Sequence, residues 1–140
     1  MDTEVEVMAD FVASPWYFDI IYVLQNLQAP KGLSKSRIRA IKLKATKFCI
    51  INQYLYWKDP GGVLLKCLLE NEAQQTVKEF HKGDRGGNHS WKVTANKIRR
   101  EGFYWPSLFS DVYKETTRCN QCQIFMGKGK WFHSLSNLYQ

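Results

Sequence analysis

Four side chains in the second half of the sequence are of types that bind metal ions. They are His81, His89, Cys119 and Cys122, and the two cysteines have Cys-x-x-Cys spacing. Tetrahedral zinc takes four nitrogen or sulfur donors, and a Cys-x-x-Cys turn supplies two thiolates to one ion. His81 ends one predicted helix, His89 directly precedes the next, and the cysteines follow a third. The donors and their spacing favour one Zn²⁺ ion that ties three helix ends together and supports a thin core.

The cysteine pair has two other interpretations. A redox Cys-x-x-Cys motif expects a strand–helix context of the thioredoxin kind, which the sequence around Cys119 does not show. A structural role without metal stays open. His133 is an alternative donor, although a lone histidine in a polar tail is more often incidental. Cys49 and Cys67 lie inside apolar runs and are predicted to be small core residues rather than ligands.

The elements that must position these donors are predicted to be mainly helical. Apolar residues recur at three- and four-residue steps, which is typical of amphipathic helices. The predicted helices are Pro15–Leu27, Ser34 or Ser36 to about Phe48, Glu70–His81, Ser90–Arg100 and Pro106–Thr117. The last two are predicted to bury Trp91, Ala95, Ile98, Leu108, Phe109, Val112 and Thr116. Two short helices joined through Gly102 are compatible with a helix-turn-helix.

One β-hairpin is predicted between these helices. The apolar runs Phe48–Trp57 and Val63–Leu69 flank the turn residues 58–62, which include Pro60, Gly61 and Gly62. Phe103-Tyr104-Trp105 is interpreted as an aromatic link. The predicted fold is therefore mainly α with one small β-hairpin: two upstream helices, the hairpin, and a zinc-stapled three-helix bundle with helix-turn-helix-like helices.

The charge of the chain favours a polyanionic partner and does not choose between nucleic acid and acidic membrane lipid. Its formal net charge is +7 and its pI is about 9.3. Residues 82–130 hold ten basic and four acidic side chains, whereas residues 1–81 hold ten and nine. The predicted nucleic-acid contacts are Lys92, Lys97, Arg99 and Arg100 on one helix. Residues 31–47 carry seven further basic side chains and no acid, and this stretch is either a solvated helix face or a phosphate-contacting stripe.

Three stretches of the sequence resemble a known family. The first runs from Glu79 to Thr94 and includes Gly86-Gly87-Asn88-His89. The other two are Gly102-Phe103-Tyr104-Trp105-Pro106 and Cys119-Asn120-Gln121-Cys122-Gln123. Together they look like the integrase zinc-binding domain of gypsy-type LTR retrotransposons, and the resemblance extends from about residue 14 to 128. It implies a His-His-Cys-Cys zinc site in a helical bundle that assists multimerisation and engagement of DNA ends. The family usually reads Gly-Gly-His, whereas here Asn88 intervenes, and we assign the second ligand to His89.

The resemblance also implies what the chain does not do alone. Integrase catalysis uses a separate ribonuclease-H-like core with three metal-binding carboxylates, and 18 residues follow Cys122. The carboxylates Asp84 and Asp111 are better explained as turn and helix-surface residues. We therefore expect no enzymatic activity and no small-molecule substrate, and interpret the chain as a fragment of a polyprotein. The expected partner is DNA, bound weakly and without sequence preference, and homo-oligomers are possible.

The expected organisation has four parts. Residues 1–13 are predicted to be a disordered acidic tail, 14–47 a helical arm, 48–128 the hairpin with the zinc-binding domain, and 129–140 a tail. No signal peptide or membrane-spanning run is visible, so the protein is predicted to be soluble and intracellular, with the nucleus possible. The alternative function is a retained or relic protein-interaction domain that dimerises without a DNA role.

Overall fold

The computed structural model of the protein describes residues 7–83 and 90–118, which form six helices and one four-stranded sheet. The helices are α1 (Ala9–Ala13), α2 (Phe18–Asn26), α3 (Lys35–Ala45), α4 (Glu70–Gly83), α5 (Trp91–Arg100) and α6 (Leu108–Arg118). The strands are β1 (Phe48–Ile51), β2 (Tyr54–Lys58), β3 (Leu64–Cys67) and β4 (Phe103–Tyr104). The prediction of a mainly helical fold is confirmed, and none of the helices in the described ranges is long and apolar enough to cross a membrane.

The chain divides into two compact units. Unit 1 comprises Met1–Glu70 and Gly102–Pro106, and unit 2 comprises Asn71–Glu101 and Ser107–Gln140. Unit 1 therefore contains the sheet with α1, α2 and α3, whereas nearly all of α4 and the whole of α5 and α6 belong to unit 2. The predicted tail at 129–140 lies outside the described residues.

The sheet of unit 1 is larger than the predicted hairpin. Its strand order is β1-β2-β3-β4, and the run Phe48–Trp57, predicted as one strand, is itself a hairpin. The two-residue loop of that hairpin consists of Asn52 and Gln53, with φ of 51° and 72°. A two-residue loop with positive φ at both positions matches the right-handed twist of the flanking strands. Glycine commonly marks such a turn, and because neither residue of this loop is glycine, the sequence pattern did not predict the turn.

The turn predicted at residues 58–62 is present and joins β2 to β3. Lys58 pairs with Leu64 in the antiparallel register. The Asp59 carboxylate accepts a hydrogen bond from the Val63 amide at 2.9 Å, and Gly62 has a φ of 90°, which suits a residue without Cβ.

The fourth strand replaces the predicted aromatic link. Phe103 and Tyr104 pair in parallel with β3, and the Leu68 amide donates to the Tyr104 carbonyl at 2.9 Å. The Tyr104 ring also stacks on Trp57, with ring centroids 4.2 Å apart. A two-residue strand whose partner lies more than thirty residues earlier leaves no periodic signal, so the sequence pattern did not predict it.

The core of unit 1 is organised around Tyr17. Its side chain is fully buried, and its hydroxyl donates a 2.6 Å hydrogen bond to the Leu68 carbonyl. Phe11 of α1 is also buried, with its ring 5.8 Å from that of Tyr17. Ser14, just after α1, donates to the Glu70 carboxylate at 3.2 Å. Residues 9–13 therefore form a helix, although they belong to the stretch predicted to be a disordered acidic tail. The helix packs on the protein because the Phe11 side chain is buried in the core.

The helices α2 and α3 pack against each other. The predicted helix Pro15–Leu27 is shorter at both ends, since α2 begins at Phe18 and Leu27 adopts the left-handed conformation with φ 58°. Leu27, the last residue of the predicted helix, is 82% exposed, because the helix has already ended there. Ser34 caps α3, as one of the two predicted caps, and accepts from the Arg37 amide at 3.2 Å.

In unit 2, α5 packs against α6 as the spacing predicted. The buried residues are Trp91, Thr94, Ala95 and Ile98 on α5 and Leu108, Val112 and Thr116 on α6. Phe109 was predicted to be buried but is 37% exposed. Its ring still forms a T-shaped pair with that of Trp91, with the ring centroids 6.1 Å apart. Of the predicted three-helix bundle, these contacts show the α5–α6 pair, and the packing of α4 as the third helix stays a prediction.

Two buried side chains in unit 1, the Tyr17 hydroxyl and the Cys67 thiol, make the stability of the protein sensitive to alkaline pH. Burial, above all, raises the pKa of Tyr17, with smaller contributions from Cys67, Tyr104 and Glu70. Burial likewise raises the pKa of the Cys67 thiol, although its hydrogen bond with Tyr17 acts in the opposite direction. Both groups therefore stay protonated in the folded protein at neutral pH.

We expect unit 1 to lose stability as the pH rises above the unfolded-state pKa of cysteine, about 8.5. Between the unfolded and the folded pKa, the unfolded chain releases protons that the folded chain retains, so each group can cost up to about 1.4 kcal/mol per pH unit. Chemical denaturation followed at pH 7, 9 and 10 measures the loss. The Cys67→Ala variant should lose less than the wild type between pH 8.5 and 10, and equal losses would contradict the assignment.

Candidate metal centre

His81 is the predicted zinc ligand that the structure describes. It lies in the last turn of α4, and its side chain is half-buried. Ala73 and Val77, which are both buried, precede His81 at intervals of four residues, so the three residues share one face of the helix. The helix therefore places the His81 imidazole on its inward-facing side rather than in the solvent.

The other three predicted ligands, His89, Cys119 and Cys122, lie outside the described residues, as do His133 and Asp84. Their neighbours in sequence are helix ends. Ser90, directly after His89, caps α5 and accepts from the Val93 amide at 3.3 Å, and α6 ends at Arg118, directly before Cys119. In sequence, His89 and Cys119 therefore directly adjoin helix ends that the structure describes.

The chemistry of the donor set fits zinc. Two imidazoles and two thiols make the four-coordinate nitrogen and sulfur set that structural zinc sites use. Within residues 7–83 and 90–118, no group of three or more His, Cys, Asp or Glu side chains could hold a metal ion. A metal centre built from the described residues alone is therefore not found, and the four-ligand site remains the prediction.

The remaining cysteines behave as core residues. Cys67 is fully buried in β3, and Cys49 of β1 is half-buried. Because burial raises the pKa of the Cys67 thiol, this residue does not present the thiolate that binds metal ions or attacks substrates. The prediction that Cys67 is a small core residue is confirmed.

Asp111 also behaves as predicted. Its carboxylate accepts a 2.8 Å hydrogen bond from the Ser107 hydroxyl in the first turn of α6, where the helix dipole favours a negative charge. This contact explains Asp111 as a helix-start residue.

The four predicted nucleic-acid contacts all lie on α5, but not on a single face. At about 100° per residue, Lys92 and Arg99 lie on the same side of the helix, Lys97 lies beyond the opposite border of the buried stripe, and Arg100 points away from that stripe. Lys92 and Arg100 are exposed, whereas Lys97 and Arg99 are half-buried. The exposed surface of α5 also includes Asn96, which a pattern based on charge alone did not single out.

The comparison with protein families identifies the segment that carries the candidate centre. Residues 70–126 match the model of the integrase zinc binding domain. All four predicted ligands fall within this range, as do α4, α5 and α6. This segment of the chain is therefore similar to integrase zinc-binding domains.

The chain is also similar to proteins whose names refer to the gypsy retrotransposon integrase. The chain is 29% identical to Gypsy retrotransposon integrase-like protein 1 of Pongo abelii over 97 residues, which are 68% of this chain and 18% of that protein. The proteins of that name from Homo sapiens and Mus musculus are each 28% identical over 86 residues, 60% of this chain and 16% of theirs. The chain thus spans less than a fifth of the length of these relatives. No solved structure matches it.

Proposed function

We propose that this chain is the zinc-binding module of a retrotransposon-type integrase, a non-catalytic part that engages DNA and assists assembly. The observation that carries this proposal is the family match over residues 70–126, which spans all four donors. The half-buried His81 on the inward face of α4 agrees with it. A role with DNA would place the protein in the nucleus of a eukaryotic cell.

In this proposal His81, His89, Cys119 and Cys122 hold one zinc ion. Bound zinc supplies a structural cross-link here, because four protein ligands leave no open position for a water or a substrate. The cross-link would hold the carboxyl ends of α4 and α6 near the amino end of α5. The packed pair α5–α6 then gains a fixed frame on which the basic residues of α5 are presented.

The proposed DNA contacts are electrostatic and directed to phosphates. Lys92 and Arg100 are exposed on α5, and the whole chain carries a formal charge of +7. Phosphate contacts carry no sequence information directly, so binding should be alike on unrelated duplexes. A dissociation constant of about 10⁻⁴–10⁻⁶ M at physiological salt is typical of such binding.

The test compares two variants of equal net charge. Lys92→Gln with Arg100→Gln should weaken binding to every duplex, and should lower the magnitude of the slope of log K against log salt by about 2, one unit for each lost phosphate contact. The control replaces two exposed lysines elsewhere, Lys58 on β2 and Lys78 on α4, by glutamine. Equal salt slopes for the two variants would remove α5 from the proposed interface.

Self-association without a DNA role is the second candidate function. Val93 of α5 is 42% exposed and Phe109 of α6 is 37% exposed, so the packed helix pair presents two large apolar side chains to solvent. Apolar association responds little to salt, whereas DNA binding weakens steeply through counterion release. Sedimentation of the chain across a range of salt concentrations, with and without a DNA duplex, separates the two functions.

A further inference from the structure

The most strongly charged surface of unit 1 is helix α3. Every basic residue of this helix is exposed, and no acidic residue occurs between positions 31 and 47. The basic residues within α3 are Lys35, Arg37, Arg39, Lys42 and Lys44, and Lys31 and Lys47 flank it. This helix lies outside the segment that matches the zinc-binding domain.

Three of these residues form a row. Lys35, Arg39 and Lys42 are spaced by four and three residues, so they share one side of the helix. The row extends over about 10 Å along the axis at 1.5 Å per residue. Ile41 and Ala45 occupy the buried side, which fixes the orientation of α3 and keeps the row at the surface.

Two features of the row are unfavourable for the helix that carries it, although Lys42, in the last turn, interacts favourably with the helix dipole. Lys35 lies in the first turn, where the helix dipole disfavours a cation, and no acidic residue offsets it there. Arg39 follows Lys35 by four residues and precedes Lys42 by three, and like charges at these spacings destabilise a helix. Within the described ranges, none of the three has a carboxylate within 4 Å. The Arg37–Asp19 pair, at 3.6 Å, lies on the other flank of the helix.

A bound polyanion would relieve this repulsion. We infer that the Lys35–Arg39–Lys42 row is a second nucleic-acid surface, which contacts the phosphate backbone independently of α5. A membrane surface is a poorer fit, because a membrane-bound amphipathic helix inserts its apolar side. Here Ile41 and Ala45 are buried within the protein, which leaves the exposed Leu43 as a single large apolar side chain for insertion. The choice of nucleic acid over an acidic protein rests on the function proposed above.

The row recognises the charge of the phosphate backbone and not the base sequence. A DNA duplex carries one negative charge for about every 1.7 Å of its axis, so a row of this length meets several phosphates. Arg39 can donate two parallel hydrogen bonds to one phosphate, whereas Lys35 and Lys42 act as point charges. Two basic helices in separate units would let one chain contact DNA at two places, which raises affinity when both sites are reached together.

The experiment uses the full chain and two triple variants of equal net charge. The test variant is Lys35→Gln, Arg39→Gln and Lys42→Gln, and the control replaces Lys58, Lys78 and Lys114, all exposed, by glutamine. Binding to two unrelated 20-base-pair DNA duplexes is measured over a range of salt concentrations. The test variant should bind at least roughly tenfold more weakly than the control at 50 mM salt, with a salt slope smaller in magnitude by about 2.7 than that of the wild type.

The test variant should fold, because glutamine is a good helix former and its substitution removes the repulsion within α3. Its thermal midpoint is therefore expected to equal or exceed that of the wild type. Independently of any variant, titration of the isotope-labelled wild type with the duplex should shift the backbone amide signals of residues 35–45. Unshifted α3 signals would overturn the inference, whatever the variants do.

The remaining outcomes separate this inference from the proposed function. If the α3 variant binds like its control while Lys92→Gln with Arg100→Gln binds more weakly, the row is not an interface and the α5 contacts stand. If the α3 variant alone binds more weakly and the α3 signals of the wild type shift, the row stands and the α5 contacts fail. If the wild type binds vesicles of equal parts phosphatidylserine and phosphatidylcholine more tightly than duplex at the same salt, a membrane surface replaces nucleic acid as the partner.

Discussion

The Cys122→Ser variant is expected to lose stoichiometric zinc and much of the helicity of α4, α5 and α6. A serine hydroxyl stays protonated at neutral pH and replaces the thiolate poorly as a zinc ligand. Structural zinc binding by small domains is worth about 10–16 kcal/mol at neutral pH. That value is comparable to or larger than the roughly 5–15 kcal/mol by which whole domains are stable, so removal of a ligand should unfold the zinc-binding segment.

Zinc affinity in competition with a chelator, together with far-ultraviolet circular dichroism, measures both effects. Cys49→Ser is the matched control, because Cys49 lies half-buried on β1 of unit 1 and is not a predicted ligand. The control should retain full zinc. A Cys122→Ser variant with wild-type zinc content and helicity would contradict the predicted ligand set.

The second large effect is expected at Trp91. This side chain is 1% exposed at the start of α5, and its ring meets Tyr113 edge-on at 5.5 Å and Phe109 at 6.1 Å. Trp91→Ala removes both of these ring contacts between α5 and α6 and leaves a cavity, which costs about 3–5 kcal/mol. Chemical denaturation of the zinc-loaded chain measures the loss.

Val93→Ala is the control for Trp91→Ala on the same helix. Val93 is 42% exposed, so its truncation should change the free energy of unfolding by no more than about 0.5 kcal/mol. A similar loss in the two variants would show that Trp91 does not join α5 to α6 in the way the ring contacts indicate.

The helices of unit 2 could be predicted from the sequence because their apolar residues follow the helical period. Ala95, Ile98 and Val112 are buried where the spacing placed them, and Ser90 caps α5. Phe109 was the exception. It lies next to the buried stripe, where a large ring reaches Trp91 from a partly exposed position.

The sheet was predicted less completely because its partners are set by contacts that local patterns do not contain. The turn at Asn52 and Gln53 has positive φ without a glycine, so two strands looked like one. Strand β4 exists because the Gly102 and Tyr104 carbonyls accept hydrogen bonds from Lys66 and Leu68. Such long-range pairing follows from tertiary packing rather than from residue propensity.

The candidate site, like the fold, could be predicted from the sequence only in part. The family motif indicated His81, and the structure adds that its face of α4 is the buried one. Lys92, Lys97, Arg99 and Arg100 looked like one cluster on charge alone, but helical geometry distributes them around α5. By contrast, the spacing of Lys35, Arg39 and Lys42 and the buried side of α3 together define a row that charge counting left undecided.

The zinc content of the purified full chain, measured by elemental analysis, tests the central claim most directly. The protein should be purified without added zinc or chelator, alongside Cys49→Ser and Cys122→Ser. We predict one zinc ion per chain for the wild type and for Cys49→Ser, and close to none for Cys122→Ser. A wild-type chain that is folded and contains no zinc, even after incubation with excess zinc and dialysis, would contradict the account.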